Sequence, residues 1–511
     1  MIMAGVMTDF TGDEIKTQCL TMGPYLLGLG LGSSWGDKIK EVKQITWLFR
    51  FEWASVAVLP VIPVLQLLTV FLVVNLSPAG MTLENKNLIL TLLLCTSVLA
   101  FIAGTLGGAQ LPIILKREKT LSQEIILAIN YTGPLLAGFC IVGLNQSAAP
   151  IAVQIYIVGI IQLIGLFALV FMSPRRLRSL LFLIPPLGIL IATTIFYPVI
   201  ERYTVKSTYL GSKTSLKDLL HPATLLNTLE KFGTVERVRT PYQTIDLFIE
   251  PPQLEYSIPG NATLYLNRKP QFDMLSVAVY HESMLYSGLN LLKHSPKKIL
   301  ILGGGDGLLL TELRKHPNIP EITMVELDEG MLNWSRDNGV ISQINKGALD
   351  NIPKNVHLIV GDGITFLRNS KEKYDLMLID FPFPNGYDLA KLYSYEFYRL
   401  VKHSLAPEGI VILDIPIYLE EKSGDFGHET LTIIKTMRAA GFKNPFLFGP
   451  SASFIALKVS DEPLSFDYNN FPEGLTLASY QNLINPFREE DIDESVWKKT
   501  SINTMFWPRG L

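Results

Sequence analysis

The chain has 511 residues, enough for two or three domains. With 48% hydrophobic residues against 18% charged, apolar segments must be concentrated in part of the chain. A net charge of −3 leaves no basic excess to neutralise phosphates, which excludes a nucleic-acid partner. Cys19, Cys95 and Cys140 lie far apart, each in or beside an apolar run. They form no zinc spacing or disulfide framework and read as packing residues.

Residues 1–18 contain Asp9, Asp13, Glu14 and Lys16, unlike the basic-then-apolar start of a signal peptide. Apolar runs then recur to about residue 200: Trp53–Leu76, Leu88–Leu115, Ile125–Leu144, Ile151–Met172 and Leu180–Ile200, with a weaker, glycine-rich one at Cys19–Trp35. Crossing a hydrocarbon core takes about 20 apolar residues, and these runs meet that length. They are apolar on nearly every side, which a buried helix of a soluble protein would not be. Gly28, Gly30, Gly32, Gly104, Gly107 and Gly108 either permit close helix approach or mark a broken helix. Gln110, Asn130 and Tyr131 are expected to hydrogen-bond between helices, and no ionisable residue is expected deep in a span.

Basic residues crowd three connections: Lys38, Lys40, Lys43 and Arg50; Lys116, Arg117 and Lys119; Arg175, Arg176 and Arg178. The connections Pro78–Asn85 and Asn145–Pro150 carry almost none. The positive-inside rule makes the basic loops cytoplasmic. One more crossing by Leu180–Ile200, which contains Pro185-Pro186, would then leave the remainder of the chain outside. The cosubstrate implied below is cytosolic, and that chemistry outweighs the charge count, giving a cytoplasmic catalytic domain.

From Arg202 to about Gln253 the chain is charged and mixed. Alternation over Thr244–Ile249 predicts a half-buried strand, ended by Pro251-Pro252, with Thr263–Asn267 as hairpin partner. A helix after Phe272 carries Tyr280, His281 and Glu282. Strands are then expected at Ile299–Leu302, Ile322–Val325, Val356–Val360, Leu376–Ile379 and Ile410–Leu413, alternating with helices. Such alternation builds an open, mainly parallel sheet with helices on both faces and ligands at the carboxyl ends of the strands.

The acids fall at those ends. The first strand runs into Gly303-Gly304-Gly305-Asp306-Gly307, where Asp306 is a carboxylate placed where a phosphate cradle wants none. Glu326 follows Gly305 at the spacing of an acid that holds ribose hydroxyls. Gly361-Asp362-Gly363 offers a carboxylate to an adenine amino group, and Tyr374–Asp380 delivers another to the same rim. Asp328 or Asp362 alone would pass as a helix N-cap. The ordered set describes a nucleoside pocket without a pyrophosphate cradle, suited to S-adenosylmethionine or a relative rather than NAD.

These pieces, with Thr240-Pro-Tyr-Gln243, Tyr280-His281-Glu282 and Lys391–Leu400, resemble the polyamine aminopropyltransferases (spermidine synthases), in particular their membrane-attached bacterial members. The likeness runs from about residue 235 to the end, and more loosely through the apolar half, which is one span shorter than in the family. It implies a multi-span α-helical membrane domain (1–203), a linker and small β region (204–270), and an α/β Rossmann-like, methyltransferase-type domain (271–511). The implied reaction moves an aminopropyl group from decarboxylated S-adenosylmethionine, a cosubstrate rather than a resident cofactor, to an amine such as putrescine. Asp380 is then the base and Tyr280 aims the nitrogen. Asp306 pairs with the aminopropyl ammonium and repels the carboxylate of intact S-adenosylmethionine. Gln243, Gly303, Gly305, Glu326, Asp362 and Gly363 hold the nucleoside, and His281 lines the amine channel. No metal is implied. Lipid bilayer is a partner, and the family's soluble members assemble as dimers or larger.

Three departures concern the acceptor. The family's second acid after the catalytic one is absent from Asp380-Phe-Pro-Phe383-Pro384, its upstream acidic pair is Ser276-Val277 here, and its tryptophan is replaced at Ala452-Ser453-Phe454. Two alternatives stand beside this reading. One is a methyltransferase using intact S-adenosylmethionine, against which Asp306 counts. The other is a polyamine-sensing module governing the membrane half, against which Asp380 and Tyr280 count. A pure transporter fits least.

Overall fold

The computed structural model describes residues 2–12, 14–77, 85–118, 121–171, 180–210, 222–231, 233–252, 261–274, 276–384, 387–415, 428–448, 454–467, 470–471 and 494–508. The chain folds as two compact units, Met1–Gly260 with Asn267–Lys269, and Asn261–Leu266 with Pro270–Leu511.

The first unit is a bundle of helices followed by two strands. Among the described residues, five helical segments are long and apolar enough to cross a membrane: Glu41–Leu76, Asn87–Arg117, Gln123–Gln146, Ile151–Val170 and Leu181–Leu210. Large apolar side chains such as Ile161, Ile164, Ile191 and Ile195 face outward, while polar Gln66 and Thr96 are buried and bonded to each other. The glycine-rich run is a helix, Glu14–Asp37, continuous through Pro24. Close approach, not breakage, explains Gly28, Gly32 and Gly36. A Cβ on Gly32 would lie 2.2 Å from the Thr105 carbonyl oxygen, and one on Gly104 would lie 2.1 Å from that of Tyr25. A Cβ on Gly30 would meet nothing within 4 Å. Gly32→Ala is therefore expected to lower stability by about 1–3 kcal/mol, through overpacking. Gly30→Ala should raise it by about 0.5–1 kcal/mol, through helix propensity. Thermal melts of the purified protein in detergent check both signs.

Several expectations for this half need correction. Asn130, Tyr131, Cys19 and Cys140 are exposed rather than packed, because the helix Gln123–Gln146 is open on most sides and Cys19 faces outward. Gln110 does bond to another helix, at Ser55. Charge does enter the spans: Arg50 and Glu52 lie in Glu41–Leu76, which starts before the apolar run, and Glu201 and Lys206 lie in Leu181–Leu210. The helix Ile184–Leu210 runs on past Ile200 and past residue 203, the expected end of the membrane domain. Arg175, Arg176, Arg178, Lys119 and most of Pro78–Asn85 lie outside the described residues.

Strands β1 (Thr234–Arg239) and β2 (Thr244–Glu250) pair antiparallel. The charged sequence of β1 gave no strand signal. Arg237 donates two 2.6 Å bonds to Asp246, which also accepts from the Tyr209 hydroxyl at 2.6 Å. Arg239 bonds Asp9 and Glu201. β2 is buried over its first five residues rather than on one face, since Asp246 is covered together with its partners. Burial pushes the Asp246 carboxyl up, but Arg237 and Tyr209 outweigh it and hold it below its ordinary value.

In the second unit, β3 (Asn261–Leu266), which contains most of the expected strand at Thr263–Asn267, and β4 (Lys269–Asp273) precede the helix Val277–Leu292. Then follow β5 (Lys298–Gly303), β6 (Glu321–Glu326), β7 (Val356–Val360), β8 (Tyr374–Asp380), β9 (Leu405–Asp414), β10 (Phe446–Phe448) and β11 (Phe454–Lys458). They form one sheet in the order β10-β11-β9-β8-β5-β6-β7. β5 to β9 run parallel, and β11 and β10 are antiparallel additions on one edge that the strand–helix alternation did not announce.

The central strands are apolar throughout because both faces are covered. Ile299, Ile301, Leu376 and Leu378 join one core, with Met284 and Leu285 of the helix Val277–Leu292. Leu300, Leu302, Met377 and Ile379 join the other, with Phe397, Tyr398 and Val401 of the helix Tyr395–Ser404. The order turns from one direction to the other between β5 and β8, and at such a switch point the loops part to leave a crevice at the carboxyl ends.

Candidate active site

The switch point is where the acids meet. Gly303, last in β5, stands in register with Asp380, last in β8. The backbones approach so closely that a Cβ on Gly303 would lie 2.1 Å from the Asp380 carbonyl oxygen, and its φ of +88° is one that glycine adopts without strain. The turn that follows carries Asp306, whose Oδ1 accepts from the Leu308 amide at 2.9 Å and so starts the helix Leu308–Leu313. Its backbone carbonyl accepts from Asn345 Nδ2 at 2.9 Å.

His281 and Tyr280 come from the helix Val277–Leu292. His281 is 3% exposed, and its Nδ1 lies 2.8 Å from the Val277 carbonyl, which can only accept. One donor atom from each of His281, Asp306 and Asp380 lies within 4.8 Å of the other two. The Tyr280 hydroxyl donates to Asp380 Oδ1 at 3.1 Å. Its ring packs 4.9 Å from that of His281 and 5.1 Å from that of Phe454.

Electrostatics follow from crowding carboxylates away from water. Burial raises Asp306, opposed by His281 and the Leu308 amide. Burial and the neighbouring Asp306 push Asp380 up to about 6, against the opposing pull of His281 and Tyr280. Such a group is ionised at neutral pH yet basic enough to take a proton. Burial chiefly, with the charges of Asp328, Asp306 and Asp380, pushes Glu326 up to about 7, and the Asp328 amide opposes the shift. Glu326 Oε1 accepts from that amide at 2.8 Å.

Of the residues expected in the site, His281, Asp306 and Asp380 are brought together, Tyr280 is bonded to Asp380, and Glu326 ends the strand next to β5. Asp362 and Asp328 do serve as N-caps, accepting from Thr365 at 2.7 Å and Gly330 at 3.0 Å. Gly363 opens the helix that Asp362 caps. Gln243 belongs to the first unit, in a turn closed by the Thr240 hydroxyl. Phe383 is partly buried, and Ala452 and Ser453 lie outside the described residues.

One acid was missed. Asp414 ends β9, beside β8, and is 7% exposed. It interacts with Tyr280 and feels the charge of Asp380. The signal was in the sequence: Asp414 follows Leu413 at the end of the predicted strand, just as Asp380 follows Ile379.

Residues 277–424 match the family model described as the spermine/spermidine synthase domain. The polyamine aminopropyltransferase of Oceanobacillus iheyensis is 25% identical over 80% of this chain and 73% of its own length. Polyamine aminopropyltransferase 2 of Aquifex aeolicus is 28% identical over 91% and 85%, and the Leptospira interrogans enzyme 26% over 94% and 88%. Among solved structures, a spermidine synthase in complex with the transition-state analogue AdoDATO superposes with a TM-score of 0.37 and 21% identity, covering 47% of this chain and 79% of that one. The extent of the relatives, together with the domain match over the strands and helices that carry the acids, supports the polyamine aminopropyltransferase family of enzymes for this chain.

Proposed function

We propose that the chain transfers the 3-aminopropyl group of decarboxylated S-adenosylmethionine to a small amine, putrescine in the first instance, giving spermidine and methylthioadenosine. The observation that carries this reading is the meeting of Asp306, His281 and Asp380 within 4.8 Å at the switch point, with Asp380 pushed up to about 6. The amine nitrogen attacks the methylene next to the sulfonium, the carbon–sulfur bond breaks, and the electron pair leaves with neutral methylthioadenosine. The sulfonium is already a good leaving group. The obstacle is the nucleophile, since an alkylamine is protonated at neutral pH.

In this reading Asp380 takes the amine's proton, and Tyr280, bonded to the same carboxylate, orients the nitrogen. Asp306 pairs with the ammonium of the aminopropyl chain and disfavours a donor that still bears its carboxylate. Glu326 holds the ribose, and Asp362 and Gly363 the adenine. Gly303 and Gly305 let the backbone close on the nucleoside. His281 borders the acceptor, and Gln243 is assigned to the nucleoside by resemblance alone.

The test supplies purified protein with decarboxylated or intact S-adenosylmethionine and putrescine, cadaverine or spermidine, and follows methylthioadenosine. Release with the decarboxylated donor is expected. Its absence with every amine would overturn the reading, and methyl transfer from the intact donor would replace it. The three donor groups also form a set that a divalent metal accepts. The assay is therefore repeated in EDTA, where activity is expected to be unchanged.

The same reading places the helical unit in a bilayer, supported by its outward-facing apolar side chains and five helices of spanning length. The catalytic unit is assigned to the cytoplasm, where its donor is made. Leu181–Leu210, at 30 residues, is about 45 Å of helix, long enough to span. In this reading the positive-inside count gives way, rather than this last crossing. Labelling of a cysteine introduced at Arg202 from the cytoplasmic side alone is expected, and labelling from outside alone would reverse the assignment.

A further inference from the structure

We infer that Asp414 receives the second ammonium of a diamine acceptor, supplying from β9 the carboxylate that Phe383 and Ser276-Val277 do not. The inference rests on the aminopropyl-transfer reading and deepens it. Among the described residues, Asp414 Oδ1 is buried with no hydrogen-bond partner. A buried acceptor left unsatisfied is costly, so such an atom marks a place kept for a ligand group. The surroundings suit an alkylammonium. Phe454 is the strand partner of Asp414, its ring lies 5.1 Å from that of Tyr280, and Tyr393 is close enough to feel the Asp414 charge. Aromatic faces beside a carboxylate hold an organic cation and its methylene chain.

The hydrogen bonds define the state without amine. Tyr280 has one hydroxyl proton, and Asp380 accepts it. Towards Asp414 the phenol oxygen can then only accept, so the two groups can bond only while Asp414 carries a proton. Burial and the charge of Asp380 raise Asp414 well above its ordinary value, outweighing the opposing pull of Tyr280 and of the Asp414 amide. The titratable groups facing Asp414 are Tyr280, Asp380 and Tyr393. An arriving ammonium reverses the balance and drives the proton off. The acids then follow the substrates in order: Asp306 at the aminopropyl ammonium, Asp380 at the attacking nitrogen, Asp414 at the far end of the diamine.

Two measurements test this. The first compares kcat/KM for putrescine and butylamine, which differ only in the second ammonium. Asp414→Asn is expected to reduce the diamine-to-monoamine ratio by about 100-fold, as for the loss of a buried charge partner. An unchanged ratio, or an equal loss with both amines, would mean that Asp414 only supports Tyr280, and would overturn the inference. The second uses the wild-type protein, so it does not depend on the variant folding. Calorimetry at pH 5.5 in buffers of different ionisation enthalpy counts the protons released on amine binding. Putrescine is expected to release one more than butylamine, and equal counts overturn the inference. Failure of wild-type protein to release methylthioadenosine with any amine would instead sink the activity itself, a result separate from both.

Discussion

Asp380→Asn is expected to lower methylthioadenosine release by about 10³-fold, within the range for loss of a positioned general base. The amide keeps the size and the bond from Tyr280 but cannot accept the amine's proton. Donor affinity should change less than about threefold, because Asp306 and Glu326 remain. Calorimetry with decarboxylated S-adenosylmethionine and single-turnover product release separate the two quantities. A donor affinity lost along with turnover would show Asp380 to be a binding residue instead.

The same group sets the pH dependence. In the proposed reaction Asp380 works only when ionised, and burial with Asp306 nearby pushes it up to about 6 in the free protein. The amine arrives as its ammonium, so kcat/KM for the amine should rise tenfold per pH unit up to about 6. It should then stay level until the amine itself deprotonates. An acid limb centred near the ordinary carboxylate range would mean that the surrounding acids do not act on Asp380.

Glu326→Gln is expected to move stability and activity in opposite directions. Glu326 is 9% exposed and is raised from an ordinary 4.5 to about 7, chiefly by burial. Between those values the folded chain holds a proton that the unfolded chain has lost. The stabilising contribution is therefore complete below about 4.5 and disappears as pH rises through about 7. Converted at 1.36 kcal/mol per unit, this comes to about 3 kcal/mol lost between acid and mildly alkaline pH. Glutamine carries no charge at either end. Without donor, the variant should be more stable than wild type at pH 8 by up to about that amount, and nearly equal to it at pH 4.5. Its KM for the donor should rise about 30- to 100-fold, the effect of losing a charged partner for the ribose hydroxyls. Thermal midpoints at the two pH values and donor kinetics at pH 8 check both halves. A variant less stable than wild type at pH 8 would show that Glu326 is a structural residue.

The membrane-length helices were legible because lipid and protein interior both ask for uninterrupted apolar sequence, a local property. The parallel strands were legible for the same reason: Lys298–Gly303 and Tyr374–Asp380 are buried on both faces and read as short apolar runs that end in glycine or an acid. The spacing from Gly305 to Glu326, and the carboxylate of Asp306 in a glycine turn, marked the strand ends that meet at the switch point before any fold was known. Those features are contiguous in sequence, so residue order alone carries them.

Other features depend on who faces whom, which residue order does not state. β1 is charged along its length and becomes a strand because Arg237 finds Asp246 and Tyr209, while Arg239 finds Asp9 and Glu201. Gly32 and Gly30 look equivalent in a glycine-rich run, and only the neighbouring helix makes one of them indispensable. The acid that ends β9 is the sharpest case. Sequence reading found acids missing near Phe383 and Ser276, because it looked for them where the chain passes Asp380 and Tyr280. The sheet order β11-β9-β8-β5 brings Asp414 to that rim from a strand formed later in the chain, and Tyr280 spans the distance to Asp380. A carboxylate's neighbours across a sheet are set by strand pairing, so the charges that Asp414 faces were decided only when the strands came together.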